Sequence, residues 1–402
     1  MKTLLLLAAL LQDPSARIKE LIGRLSDENI EERDAAADEL VRIGRAALAP
    51  LKGLAGSPSG EIRGRAADLV RRIERAEKLK SVLGVPKPVE LAWDKKPLRE
   101  ALAEFKERTG LDITCGDAFA AEPVTFSCTG APAWKALADL CRAHGGLYRN
   151  GAMILKGKPS AAPDATERGL YVAIEALTFS RTLEFGGAGS TGANLSVFFA
   201  WQTAATPTAV RLELDAFADD RGTDLRGKDR GGQVGNYRIT DGTRSLTSGW
   251  GGYVMPDDEA AKVSLEGRAV FDFVIEYDRV AFENPAKSRG TVQKGAAFTA
   301  TLNSLSQFAS SAGDQGWMCS IMIESANPND ARVLPEFVVR SGGKVHNVQN
   351  WGTSRSGRGG PITHNLRIDA PADAVFTEVV VRMPKDTHRE ALPFEFKDVP
   401  IK

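Results

Sequence analysis

Residues 89–156 constrain this chain more than any other stretch, because strand and helix periods alternate there closely enough to define a small α+β domain. In VELAW, Val89, Leu91 and Trp93 alternate with Glu90 and Ala92, the period of two of a half-buried strand. Pro97 suits a first helical turn, and Leu98, Leu102, Phe105 and Thr109 recur at helical spacing until Gly110 supplies a C-terminal stop. Leu111, Ile113 and Cys115, then Val124, Phe126 and Cys128, alternate with polar neighbours and predict two more strands. Trp134, Leu137, Ala138 and Cys141 make the stripe of a second helix closed by Gly145 and Gly146. Leu147 to Lys156 predicts a last strand or hairpin turning at Asn150-Gly151. The expected order is strand, helix, strand, strand, helix, strand.

The run PLREALAEFKERTGLDI, then PVTFSCTG, then WKALADLCRAHGGLYRNGAMIL resembles the short N-terminal domain of secretins and TonB-dependent transducing receptors, over residues 88–158. The resemblance implies a periplasmic docking module that makes protein contacts and performs no catalysis. Downstream of Lys158 the sequence reads as neither plug, secretin pore region nor transmembrane β-barrel, so the transport and secretion roles of those families do not carry over.

Residues 13–80 read as helical and partly repeated: EERDAAADELVRI (31–43) is echoed by EIRGRAADLVRRI (61–73) with Glu, Arg, Ala, Asp and Ile in register. Small Ala residues where helices approach resemble HEAT-type repeats; a plain helical hairpin spacer is the other reading. So short an array is expected to pack on the following domain or on a partner. Ahead of it, residues 1–12 (MKTLLLLAALLQ) place one Lys before a Leu/Ala run too short to span a bilayer. That pattern predicts a signal peptide and export to the periplasm, the cell envelope or beyond; a helix packed on the next ones is the alternative. No transmembrane span is expected in the mature chain.

An exposed linker is expected at 159–168, within KGKPSAAPDATER. From Leu170 onward short alternating runs such as Val210, Leu212, Leu214 and Val270, Phe271, Phe273, Ile275 predict all-β structure, with one β-sandwich at 169–287 and a second or its continuation at 288–402. The fold class is thus multidomain: N-terminal α-helical HEAT-like hairpins, a small α+β (βαββαβ) domain and a C-terminal all-β sandwich region. With 52 basic and 52 acidic residues the formal net charge is zero, which argues against a nucleic-acid partner and against electrostatic membrane binding.

Chemistry has few anchors. The four cysteines, at 115, 128, 141 and 319, form no CxxC pair; Cys115 and Cys128 could form a disulfide if their strands were neighbours, or both could be small core residues. Asp215, Asp219, Asp220 and Asp224 crowd one strand end and turn and form a candidate calcium cluster, against a plain turn neutralised by Arg221 and Arg226. The histidines lack metal-ligand spacing, no nucleophile elbow occurs, and no cofactor motif is read. RGKDRGGQVGNYR (226–238) and SRSGRGG (354–360) read as solvated hairpin loops. Trp250, Tyr253 and Trp351 stand among glycines in SGWGGYVMP and NWGTS and are the candidate ligand or partner contacts. The expected function is non-enzymatic: protein contact in the cell envelope, with glycan or cell-wall polymer binding through the loop aromatics as the alternative and a hydrolase last.

Overall fold

The computed structural model describes residues 14–84, 87–149, 152–155, 163–182, 190–226, 233–239, 244–309, 315–325, 335–357 and 360–401. The expected signal peptide at 1–12 and the Asn150-Gly151 turn lie outside them. Helices come first and a β-rich region with several sheets follows. The chain divides into two compact units, one of Met1–Phe273 with Arg389–Lys402, the other of Val274–His388.

In the first unit, α1 (Pro14–Arg24), α2 (Ile30–Ile43), α3 (Leu48–Gly53) and α4 (Gly60–Leu83) share a core of Leu21, Leu25, Leu40, Leu51, Leu69 and Ile73. The side chain of Asn29 accepts from the N–H of Glu31 and that of Ser59 from the N–H of Ile62, so the two echoed sequences both begin at a capped helix start. Arg17 pairs with Glu39 at 2.6 Å and Arg72 with Asp38 at 2.7 Å between helices. At the end of α4, the N–H groups of Ala204 and Ala205 donate to the carbonyls of Leu83 (3.1 Å) and Val82 (2.8 Å), satisfying acceptors that a helix C-terminus leaves open. The array therefore packs on a later part of the same unit.

The α+β stretch comprises β1 (Val89–Pro97), α5 (Leu98–Thr109), β2 (Thr114–Cys115), β3 (Pro123–Ala131), α6 (Ala133–Ala143), β4 (Gly146–Arg149) and β5 (Ala152–Leu155). β1 and β3 form an antiparallel two-stranded sheet, while β5 lies between parallel β2 and antiparallel β4. Leu98, Leu102 and Phe105 of α5 and Leu137 and Leu140 of α6 are buried with Leu91, Trp93 and Val124.

Residues 164–167, expected in a linker, are strand β6 (Asp164–Glu167), paired with β7 (Leu170–Thr182). With β8 (Ser190–Trp201) and β11 (Ser245–Tyr253) they form a sheet in the order β11-β8-β7-β6. A facing group runs β10 (Gln233–Arg238), β9 (Ala209–Asp219), β12 (Lys262–Glu283), β19 (Phe376–Pro400). Val172, Val197, Phe199 and Trp201 of the first sheet and Leu212, Phe217, Phe271 and Phe394 of the second make one core. Part of the Gly-rich stretch expected as a solvated loop is thus strand β10, because it continues the ladder of β9.

The second unit holds β13 (Val292–Lys294), β14 (Phe298–Ala309), β15 (Gln315–Ser325), β16 (Glu336–Ser341), β17 (Lys344–Arg355) and β18 (Ile362–Asp369), with the end of β12 and the start of β19. Its strands run β17-β18-β15-β14-β13, and Leu302, Cys319, Ile321, Leu366 and Ile368 are buried with Phe282, Val339, Val379 and Val381. The division falls inside two long strands, at 273/274 and 388/389, and not at 287/288. The last residues return to the first core, where Leu392, Phe394 and Phe396 are buried.

Candidate docking surfaces

Strands β7 and β8 are buried on both faces where Leu170–Ile174 pairs with Val197–Trp201. Leu170, Val172, Ile174, Val197, Phe199 and Trp201 face the other sheet, whereas Tyr171, Ala173, Phe198 and Ala200 are buried with the helices of the α+β stretch. Trp134 of α6 packs edge-on to Phe198, centroids 5.7 Å apart, and its Nε1 donates to the Trp201 carbonyl at 3.2 Å. The start of α6, preceded by Pro132, has no side-chain cap of its own; Gln202 Oε1 accepts from the Ala133 N–H at 3.1 Å instead. Asp164 of β6 adds ion pairs to Lys135 (3.4 Å) and Arg142 (3.3 Å). The inner helix of the module is committed to the sheet beneath it.

Among the surfaces the module leaves to solvent is the outer face of β1 and β3. Val89, Leu91, Trp93, Val124 and Phe126 are buried against the helices, and the alternate residues Glu90, Ala92, Asp94, Thr125 and Ser127 are exposed. Because this sheet has two strands, each has one edge without a strand partner among the described residues. A carbonyl on each strand is covered by a helix-end side chain: Arg108 Nη1 donates to Glu90 O at 2.6 Å, and His144 Nε2 donates to Thr125 O at 3.0 Å. Such cover discourages indiscriminate strand pairing without filling the edge.

Of the aromatics expected in loops, Tyr253 ends strand β11 and is buried, its ring edge-on to Phe217 at 5.2 Å; it belongs to the core and is no surface contact. Trp250 lies in the same strand, its backbone paired with Leu195, and its side chain lies outside the described residues. Trp351 is in strand β17 and is 64% exposed. Glycine neighbours all three; for Tyr253 and Trp351 the face of the strand, and not the glycines, decides exposure.

Cys115 and Cys128 fall in different sheets, on β2 and β3, and both are free thiols. The adjacency a disulfide needs is missing: β3 pairs with β1, and β2 with β5. The aspartates do not converge. Asp219 is buried and accepts from the N–H groups of Arg221 (3.0 Å), Thr223 (2.8 Å) and Asp257 (2.8 Å). Burial by itself would raise its pKa, but these hydrogen bonds together hold it below the usual carboxylate range. Asp220 accepts from Ala261 N–H, Asp224 pairs with Arg226 at 2.9 Å, and Asp215 is 3.9 Å from Arg268. Among the described residues no group of three His, Cys, Asp or Glu is placed to hold a metal, and the candidate calcium cluster is a set of turn and ion-pair carboxylates.

Two arrangements escaped the sequence. His346 is buried; its Nδ1 donates to the Asp369 carbonyl at 3.2 Å, which leaves Nε2 to accept the Ser341 hydroxyl at 2.6 Å. With the Phe376 ring edge-on at 5.7 Å, this pair clamps the β16–β17 hairpin, whose Gly342 and Gly343 take φ 53° and 81°. The second is a row of aromatic and guanidinium groups: Arg367 of β18 lies over the Phe308 ring at 5.2 Å and over the Trp351 ring at 5.5 Å. Alternation along β14, β17 and β18 was the available signal, but no local pattern sets the sheet order that brings these residues together. Among the described residues no helix is long and apolar enough to cross a membrane. No family model matches the chain, and neither the curated proteins nor the solved structures give a match.

Proposed function

We propose that the chain is an exported, non-enzymatic adaptor that makes protein contacts in the cell envelope through the α+β module at 88–158. In this reading the module is a relative of the short N-terminal domain of secretins and TonB-dependent receptors, the helices ahead of it form a short HEAT-like array, and the two β-rich units are sandwiches that carry it. The observation that supports the reading is the two-stranded β1–β3 sheet: α6 of the module is packed on the neighbouring sheet, while one edge of each strand is without a strand partner among the described residues and the outer face is exposed. The partner it suits is an extended segment that adds a strand, with main-chain hydrogen bonds supplying affinity.

The test places a photo-crosslinking residue at Thr125 or Ala92, both exposed, in cells making the full chain. A crosslinked partner that contacts both positions, and is lost when Thr125 and Ser127 are replaced by Lys, supports the adaptor. Crosslinks unaffected by the lysines overturn it.

A further inference from the structure

We infer that the outer face of the β17-β18-β15-β14 sheet is a polysaccharide-binding platform, with Trp351 as its stacking residue. Burial of Cys319, Ile321, Leu366 and Ile368 fixes the inner face, so the alternate residues of β15 and β18 point outward. Ser304, Ser320 and Asn365 are paired across β14, β15 and β18, and the row ends at Gly352 of β17. This row offers hydroxyl and amide donors and acceptors without formal charge. At its end the ladder slips between Asn350 and Gly352, a bulge that re-aims the residue between them. That residue is Trp351, 64% exposed, with the Arg367 guanidinium 5.5 Å from its ring centroid. Phe308 receives the same guanidinium at 5.2 Å, over Gly316, where a side chain would collide with the ring. A cation held between two rings orients the indole and leaves its exposed surface for a ligand.

The occupant this chemistry fits is a pyranose polymer. A sugar ring presents a C–H face that packs on an indole and equatorial hydroxyls that both donate and accept, which a row of Ser and Asn side chains matches. An acidic or basic peptide finds no opposite charges along Ser304, Ser320 and Asn365. The inference stands apart from the proposed adaptor role, and its failure leaves that role untouched.

The experiment is co-sedimentation of the full chain with cellulose, chitin and purified peptidoglycan sacculi, in about 0.5 M salt to screen exposed charges. The expected result is saturable binding to at least one polymer, weakened about tenfold or more by Trp351→Ala and by Asn365→Ala, with the melting temperature unchanged. Absence of binding to all three polymers, equal binding by Trp351→Ala, or binding seen only at low salt would each overturn it; the last would identify an ionic contact with an anionic polymer.

Discussion

The indole Nε1 of Trp134 donates to the main-chain carbonyl of Trp201 at 3.2 Å, so a helix of the α+β module is tied to the backbone of a core strand in the neighbouring sheet. Gln202, the next residue, caps the same helix. The module is therefore part of the first unit's framework, and its β1–β3 sheet keeps an exposed outer face and strand edges without a strand partner among the described residues.

Replacing Trp134 separates packing from hydrogen bonding. Trp134→Phe removes the N–H and leaves most of the ring, for an expected loss of about 1 kcal/mol. Trp134→Ala also empties a buried aromatic site and costs about 3–5 kcal/mol. Denaturant unfolding read by circular dichroism measures both; a Trp134→Phe variant as stable as wild type would mean the Trp201 contact contributes nothing of its own.

Asp219→Asn places an amide N–H₂ where the native carboxylate accepts backbone N–H groups from Arg221, Thr223 and Asp257. The expected loss is about 1–3 kcal/mol. Because those oxygens are engaged by the turn, calcium at millimolar level and its chelation are both expected to leave the wild-type melting temperature where it was, as scanning calorimetry will report.

How far the chain could be read from its letters varies with how local each cause is. The helices and the order of the α+β elements follow from period and caps, which Leu98, Leu102, Phe105 and Gly110 or Ser59 and Ile62 carry within a few residues. Pairing is non-local. Cys115 and Cys128 have similar strand contexts but enter different sheets, and Trp351 and Tyr253 share glycine neighbours but face opposite environments. One non-local feature does have a local mark: LYVAI (170–174) and VFFAW (197–201) are continuous apolar runs, as in a strand covered on both faces. Tyr171 and Phe198 thus announced a second layer, which the module supplies.

The Glu104 carboxylate accepts from Lys96 Nζ at 2.5 Å and from Trp93 Nε1 at 3.0 Å. The Lys96 hydrogen bond is the main influence; it and the Trp93 contact outweigh burial and hold the folded-state pKa below that of a free glutamate. Its stabilising contribution is full above about pH 4.3, the unfolded value, and is lost as pH falls through the lower folded value. Glu104→Gln is expected to be less stable than wild type near neutrality by about 1–2 kcal/mol. The gap should close in acid, measured by urea unfolding across pH 3–7.

Thiol accessibility gives an independent check on burial. Desolvation pushes the pKa of Cys141 and of Cys319 to about 12, so both should resist a disulfide reagent near pH 8 until the chain unfolds. Cys115 and Cys128 are half-exposed and free, and should react in the native protein, Cys128 more slowly because burial raises its pKa also. Reaction of all four at one rate would contradict the two cores.

The most direct test of the central claim is site-specific photo-crosslinking from Thr125 in intact cells, comparing the native sheet with the Thr125→Lys, Ser127→Lys pair of edge substitutions introduced beside a probe at Ala92. The account predicts a protein crosslinked from Thr125 and from Ala92 through an extended segment, and its loss in a lysine variant that remains folded by circular dichroism. The same crosslink persisting at wild-type yield in that variant would contradict it.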